Sequence, residues 1–122
     1  MKLRSVLLSA LLATTLATSL ISIRPIKAES APRRIEIAAK RFNFTPGDLT
    51  LKKGEPVVII LKSEDVSHGV RLKDLGLDMK AGKGQTSEFT FTPNKVGDFV
   101  AKCSVFCGSG HGSMRLTVHV VE

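Results

Sequence analysis

The chain has 122 residues, with 18 basic residues against 11 acidic ones and a formal net charge of +7. This length is enough for one compact domain. No basic run is longer than two residues, and there is no Trp or Tyr to stack on bases. Nucleic acid is therefore excluded as a class of partner.

The first 28 residues are typical of an export signal. Lys2 and Arg4 form a positive head, an apolar run without acidic residues follows over residues 6–23, and Ala28 offers a small residue for cleavage. The alternative is an uncleaved membrane anchor, since the run is nearly long enough to span a bilayer. Both interpretations place the domain in the periplasm or another exported location. Without residues 1–28, which hold four basic and no acidic residues, the net charge is +3.

Residues 29–34 are predicted to be a flexible polar lead-in, and residues 35–122 a single domain. In this domain short apolar runs alternate with turn signals, which predicts an all-β sandwich. A fully buried strand is expected at residues 57–61, and a loop with one helical turn at residues 72–84. Five phenylalanines on strand positions are expected in the core: Phe42, Phe44, Phe89, Phe91 and Phe99.

The stretch CSVFCGSGHGSM, residues 103–114, combines two cysteines, a histidine and a methionine with three glycines and no charge. Thiolate, imidazole and thioether ligands together suit copper better than magnesium, calcium or manganese, and zinc has little use for methionine. Loops at one end of a sandwich can meet, so the upstream His68 is predicted to complete the site. A Cys103–Cys107 disulfide is the alternative, although so short a loop would restrain little chain entropy.

Each of these residues also has a simpler explanation when it is considered alone. Met114 would be a core residue, and His68 and His111 would be polar loop residues. The metal hypothesis therefore depends on their combination. His119 alternates with the apolar residues of the last strand, which predicts that its side chain points away from the core.

The loop sequence resembles the CuA loop of cytochrome c oxidase subunit II, with its C-x3-C-x3-H-x2-M spacing, and SEDVSHGV resembles the upstream D-V-x-H segment of that family. The resemblance implies a cupredoxin-like Greek-key β-sandwich. It also implies two copper ions bridged by the thiolates of Cys103 and Cys107, so that one unpaired electron is shared between the ions. His68 and His111 would each bind one copper ion.

The same resemblance assigns weaker and supporting roles. Met114 would be a weak ligand to one copper, and the backbone carbonyl of Val105 would bind the other. Asp65 and Ser104 are predicted to form hydrogen bonds behind the ligands, Asp65 orienting His68 and Ser104 the sulfurs. Phe106, with Val105 and Val70, is expected to keep water out of the site.

The chain departs from that family in ways that concern its partner. Val105 stands where the family has Glu, no Trp is present as a route for electrons, and residues 29–122 contain no counterpart of a two-helix membrane hairpin. A basic surface also suits a basic cytochrome c poorly.

The leading hypothesis is an electron-transfer protein, a monomer that is not an enzyme by itself and that serves a cytochrome or a terminal oxidase component. Contact with a membrane is expected only if the N-terminal segment is retained. A copper storage or delivery protein is the first alternative, and the second is a mononuclear blue-copper protein with one ion and Cys103 as a bystander. The third is a metal-free sandwich with a disulfide. Catalysis is not expected, because protein ligands fill every strong metal position.

Overall fold

The computed structural model describes residues 20–122, and residues 20–32 have no regular secondary structure. Most of the predicted export signal lies outside the described residues. None of the helices in residues 20–122 is long and apolar enough to cross a membrane. The strands are β1 (Arg33–Lys40), β2 (Asn43–Thr45), β3 (Asp48–Lys52), β4 (Val57–Ser63), β5 (His68–Leu72), β6 (Leu77–Ala81), β7 (Thr86–Phe91), β8 (Gly97–Lys102) and β9 (Arg115–Val121).

These strands form two sheets, which confirms the predicted all-β sandwich. One sheet has four strands in the order β2-β1-β4-β7, and the other has five in the order β3-β9-β8-β5-β6. The apolar run of β4 occupies an interior position between β1 and β7, where almost all of its residues are buried. On β9 the alternation of the sequence places Leu116, Val118 and Val120 in the core.

Two local predictions differ from the structure. β1 begins at Arg33, so Arg33 and Arg34 pair with β4 and do not belong to the lead-in. Residues 72–84 contain the predicted helical turn, a short 3-10 helix at Lys73–Leu75, but also strand β6. Its five residues, LDMKA, alternate between buried and exposed positions, so the sequence does contain a strand signal. The run is short and lies between Gly76 and Gly82, which favoured the loop interpretation. Its pairing with β5 stabilises it.

His119 lies on the outer face of the five-stranded sheet, as predicted, between Asp98 on β8 and Asp48 on β3. Its Nδ1 is 2.6 Å from Asp98 Oδ1, and its Nε2 is 3.4 Å from Asp48 Oδ1. These carboxylates, Asp98 first, raise the pKa of His119 above its usual value. The resulting stabilisation is fully present below about pH 6.5, the unperturbed pKa, and is lost as the pH rises through the folded-state pKa.

We therefore expect the free energy of unfolding to fall more steeply, as the pH rises above about 6.5, in the wild-type protein than in a His119→Gln variant. Denaturant titrations at several pH values measure both slopes. If the free energy of unfolding changed equally with pH in the two proteins, the contacts of His119 with the carboxylates would contribute nothing to stability.

Candidate metal centre

The topology of the five-stranded sheet brings the predicted ligands to one end of the sandwich. β8 is antiparallel to both β5 and β9, so the end of β8 lies beside the starts of β5 and β9. β5 begins with His68, and the loop of residues 103–114 joins β8 to β9. The Cys103 amide donates to the Met114 carbonyl (3.3 Å) and the Ser104 amide to the Gly69 carbonyl (3.4 Å), which closes the loop over β5.

Two free thiols lie at the middle of the cluster. Cys103 Sγ and Cys107 Sγ are 3.9 Å apart, so no disulfide joins them in this structure. His68 Nδ1 lies 3.9 Å from Cys103 Sγ, and His111 Nδ1 lies 3.7 Å from Cys107 Sγ. Each thiol therefore has the other thiol and one imidazole nitrogen as neighbours.

Each of the two remaining predicted donors lies beside one of the thiols. The Val105 carbonyl accepts a hydrogen bond from the Cys103 thiol (3.2 Å), and Met114 Sδ lies 3.8 Å from Cys107 Sγ. The structure thus brings all six predicted donor groups together. The nearest ligand atoms of His68, Cys103 and Cys107 lie within 4.8 Å of one another.

Most of this cluster is shielded from solvent. His68 and Met114 are completely buried, and Cys103 and Cys107 are 6% and 4% exposed. Burial, followed by the neighbouring Cys103, raises the pKa of the Cys107 thiol to about 11. Both causes disfavour a bare thiolate, whereas a bound cation would favour it. Two thiols, two imidazoles and a thioether, packed this closely, form a donor set that fits a soft metal ion.

Asp65 holds His68 in the orientation that such a site needs. Its Oδ1 lies 2.8 Å from His68 Nε2, so a proton on Nε2 leaves the Nδ1 lone pair directed at Cys103. Asp65 Oδ2 accepts a hydrogen bond of 2.8 Å from the Arg41 amide. That backbone hydrogen bond is the largest cause that lowers the pKa of Asp65 below its usual range. The carboxylate is therefore charged at neutral pH.

Ser104 does not make the hydrogen bond that was predicted for it. Within the described part of the chain its Oγ is buried and has no hydrogen-bond partner. The oxygen is turned towards β5, since a Cβ added to Gly69 would lie only 2.2 Å from it. The close packing of the loop on Gly69 therefore determines the orientation of this hydroxyl.

Two aromatic predictions were also wrong. Phe106 is 78% exposed, so it does not exclude water, and its ring tilts against the His111 imidazole with centroids 5.7 Å apart. Phe42 is 36% exposed and lies outside the core. Its ring covers the ligand loop so closely that a Cβ added to Gly110 would lie 2.4 Å from a ring carbon.

Arg41 is a residue of this site that the sequence does not indicate. Its Nε donates to the Cys107 carbonyl (2.9 Å), while its amide donates to Asp65. Arg41 thereby connects the ligand loop to the carboxylate behind His68. No motif signals this role, because Arg41 lies 66 residues before Cys107 in the chain.

Comparison with known proteins agrees with the fold. The family described as Cupredoxin-like domain matches residues 6–115. The chain is 38% identical over 74 residues to the probable cytochrome c oxidase subunit 2 of Streptomyces coelicolor, a match that covers 61% of this chain and 23% of that protein. The chain thus spans about a quarter of the length of the curated relatives it matches.

Solved structures are similar in fold. The periplasmic domain of subunit II of cytochrome oxidase (CoxB) of Bradyrhizobium japonicum has a TM-score of 0.68 at 21% identity, over 77% of this chain and 87% of that chain. The metal-binding domain of the Cu(I)-exporting P-type ATPase CopA of Streptococcus pneumoniae has a TM-score of 0.63 at 23% identity, over 77% and 90%. At these identities the likeness concerns the fold alone. Since the family match spans most of the sequence, the chain belongs to the family of cupredoxin-like domains.

Proposed function

We propose that this chain is an exported copper protein that relays single electrons through a binuclear copper centre. One observation carries the proposal: two free, buried thiols lie 3.9 Å apart, and each has an imidazole nitrogen close to it, His68 Nδ1 at 3.9 Å from Cys103 and His111 Nδ1 at 3.7 Å from Cys107. This symmetry supports two ions that share both sulfurs. Bound copper would supply the one-electron couple.

The residues of the chain provide two sets of donors around the shared thiols. His68 and the Val105 carbonyl lie beside Cys103, and His111 and Met114 lie beside Cys107. Strands β5, β8 and β9 hold both ends of this arrangement, and Asp65 fixes the ring of His68. A site held this firmly changes little when an electron arrives or leaves, which favours rapid transfer.

The partner and the location follow from the same reasoning. Because these donors would occupy every strong metal position, no place is left for a substrate, and we propose a carrier that is not an enzyme by itself. Relatives named cytochrome c oxidase subunit 2 support a cytochrome or a terminal oxidase component as the partner. A location in the periplasm agrees with the export-type N-terminus and with the periplasmic location of the CoxB domain, and we propose a monomer.

Copper loading tests this proposal. We expect the protein, reduced and then loaded with copper, to bind two ions per chain and to give a seven-line electron paramagnetic resonance spectrum, because one electron is shared equally between two nuclei. Metal analysis and spectroscopy measure the two properties. One ion per chain, with a four-line spectrum and an intense blue colour, would instead establish a mononuclear site.

A second function, copper delivery, is favoured by the partial exposure of His111, which a metal-transfer partner could reach. The rate of copper loss to a weak chelator separates the two functions. An electron carrier is expected to retain its metal over many turnovers, whereas a delivery protein would release it rapidly.

A further inference from the structure

A row of cations crosses the outer face of the five-stranded sheet at the end nearest the metal centre. Lys102 on β8 lies opposite Arg71 on β5 and opposite Arg115 on β9. Arg71 pairs with Asp78, but within residues 20–122 neither Lys102 nor Arg115 forms a salt bridge. Like charges directly opposite one another destabilise a sheet, so the fold gains nothing from this row.

The charges on this face are separated along the strands. At the far end of the face Asp48 and Asp98 hold His119, whereas the row of cations adjoins the metal centre. Lys102 immediately precedes Cys103, and Arg115 immediately follows Met114. The positive charge is therefore concentrated beside two of the proposed copper ligands.

An open groove of about 410 Å³ runs beside this row, with Cys103 in its wall. Arg71, Lys73, Val100 and Lys102 also line it, together with one carboxylate, Asp74, so the lining has three cations against one anion. Val100 is 46% exposed. Val100 thus provides a small apolar contact with a polar rim around it, which is the general layout of a protein interface. A molecule in the groove would approach Cys103, a residue of the proposed copper centre.

We propose that this basic groove, lined by Arg71, Lys73, Val100 and Lys102 and adjoined by Arg115 on β9, docks an acidic redox protein that exchanges electrons through Cys103. The inference rests on the proposed function, because an electron relay requires a partner to approach a metal ligand. The three cations on neighbouring strands span roughly 10 Å, which is wider than one small anion and suits several carboxylates on a protein surface. Opposite charges would also accelerate the encounter of the two proteins.

The first test does not depend on copper. The metal-free, ¹⁵N-labelled protein is titrated with reduced cytochrome c whose lysines have been succinylated, which makes it acidic. We expect amide shifts at residues 71–73, 100–104 and 115, and about tenfold weaker binding for Lys102→Glu. Lys52→Glu is the matched control, because Lys52 lies at the far end of the same sheet and should change the affinity by less than about twofold.

Amide shifts confined to the exposed tip of the ligand loop, residues 106–112, would overturn the proposal. So would an equal loss of affinity for succinylated cytochrome c in Lys102→Glu and in Lys52→Glu. Loss of the fold would not be confused with loss of binding. Lys102→Glu places a negative charge opposite Arg71 and Arg115, where the wild-type protein has a positive one. The melting temperature of the variant should therefore not fall below that of the wild-type protein.

The second test uses the copper-loaded protein in stopped-flow mixing with the two forms of cytochrome c. Lys102→Glu should lower the rate constant with the succinylated form about tenfold and raise it with the native, basic form. Rates that are equal in the wild-type protein and the variant would overturn docking but leave the electron-relay function standing. The expected amide shifts without any electron exchange would support docking and contradict the electron-relay function.

Discussion

Replacing Cys103 with serine is expected to abolish the seven-line spectrum and to lower the copper content from two ions per chain to at most one. Cys103 Sγ lies within 3.9 Å of Cys107 Sγ and His68 Nδ1, and within 3.2 Å of the Val105 carbonyl. A serine hydroxyl is a hard donor that suits copper poorly. The affinity for copper should fall by more than the roughly 10- to 100-fold that is typical when a hydrogen bond to a metal ligand is removed.

A second variant and a control make this result specific. Cys107→Ser should be at least as damaging, because Cys107 also adjoins His111 and Met114. If the site instead held one copper ion and Cys103 were a bystander, Cys107→Ser would destroy the copper spectrum and Cys103→Ser would leave it unchanged. Ser104→Ala is the control in the same loop, since the Ser104 hydroxyl has no hydrogen-bond partner among the described residues and its removal should leave copper binding unchanged. A normal seven-line spectrum in Cys103→Ser would refute the bridging role.

Gly110→Ala is expected to destabilise the domain and to speed copper loss, whereas Gly112→Ala should do neither. The added methyl group at residue 110 would lie 2.4 to 2.9 Å from three atoms of the Phe42 ring, and at residue 112 it would meet nothing within 4 Å. Gly110 has φ −88°, which alanine adopts freely, so the predicted effect is steric. Overpacking of this kind costs about 1–3 kcal/mol, which lowers the melting temperature of a domain of this size by about 4–8 °C per kcal/mol.

Thermal unfolding and the rate of copper loss to a chelator measure these effects. A double-mutant cycle with Phe42→Ala identifies the cause, because Gly110→Ala should cost much less once the ring is gone. The same penalty with and without the ring would show that the clash with Phe42 is not responsible. The cycle also tests whether Phe42, which was expected in the core, instead covers the ligand loop.

The ring of Phe42 and the guanidinium of Arg41 act on neighbouring parts of the same loop. Arg41 fixes the Cys107 carbonyl, and Phe42 packs on Gly110. The turn between β1 and β2, which belongs to the other sheet, therefore supports the ligand loop from outside. This contact explains why the loop contains glycine at a position where the backbone does not require it.

Much of the architecture could be predicted because it depends on short patterns of apolar and polar residues along the chain. The alternation in β9 and the apolar run in β4 reflect which side chains are buried, and burial repeats with the period of a strand. The set of sulfur and nitrogen donors could likewise be recognised, since most of it lies in one loop of twelve residues. β6 was missed although its five residues alternate, because so short a run between two glycines also fits an irregular loop, and its pairing with β5 shows only in the structure.

The sequence alone therefore determined the class of fold, the types of donor atom and the identity of the loop that carries them. Only the tertiary structure decided that the Ser104 hydroxyl lies against Gly69 with no partner among the described residues, that Arg41 donates to the Cys107 carbonyl, and that cations align beside Cys103. The reason is physical. Burial and ligand chemistry are properties of single residues and short repeats, whereas these contacts depend on the register of antiparallel strands and on the packing of two sheets.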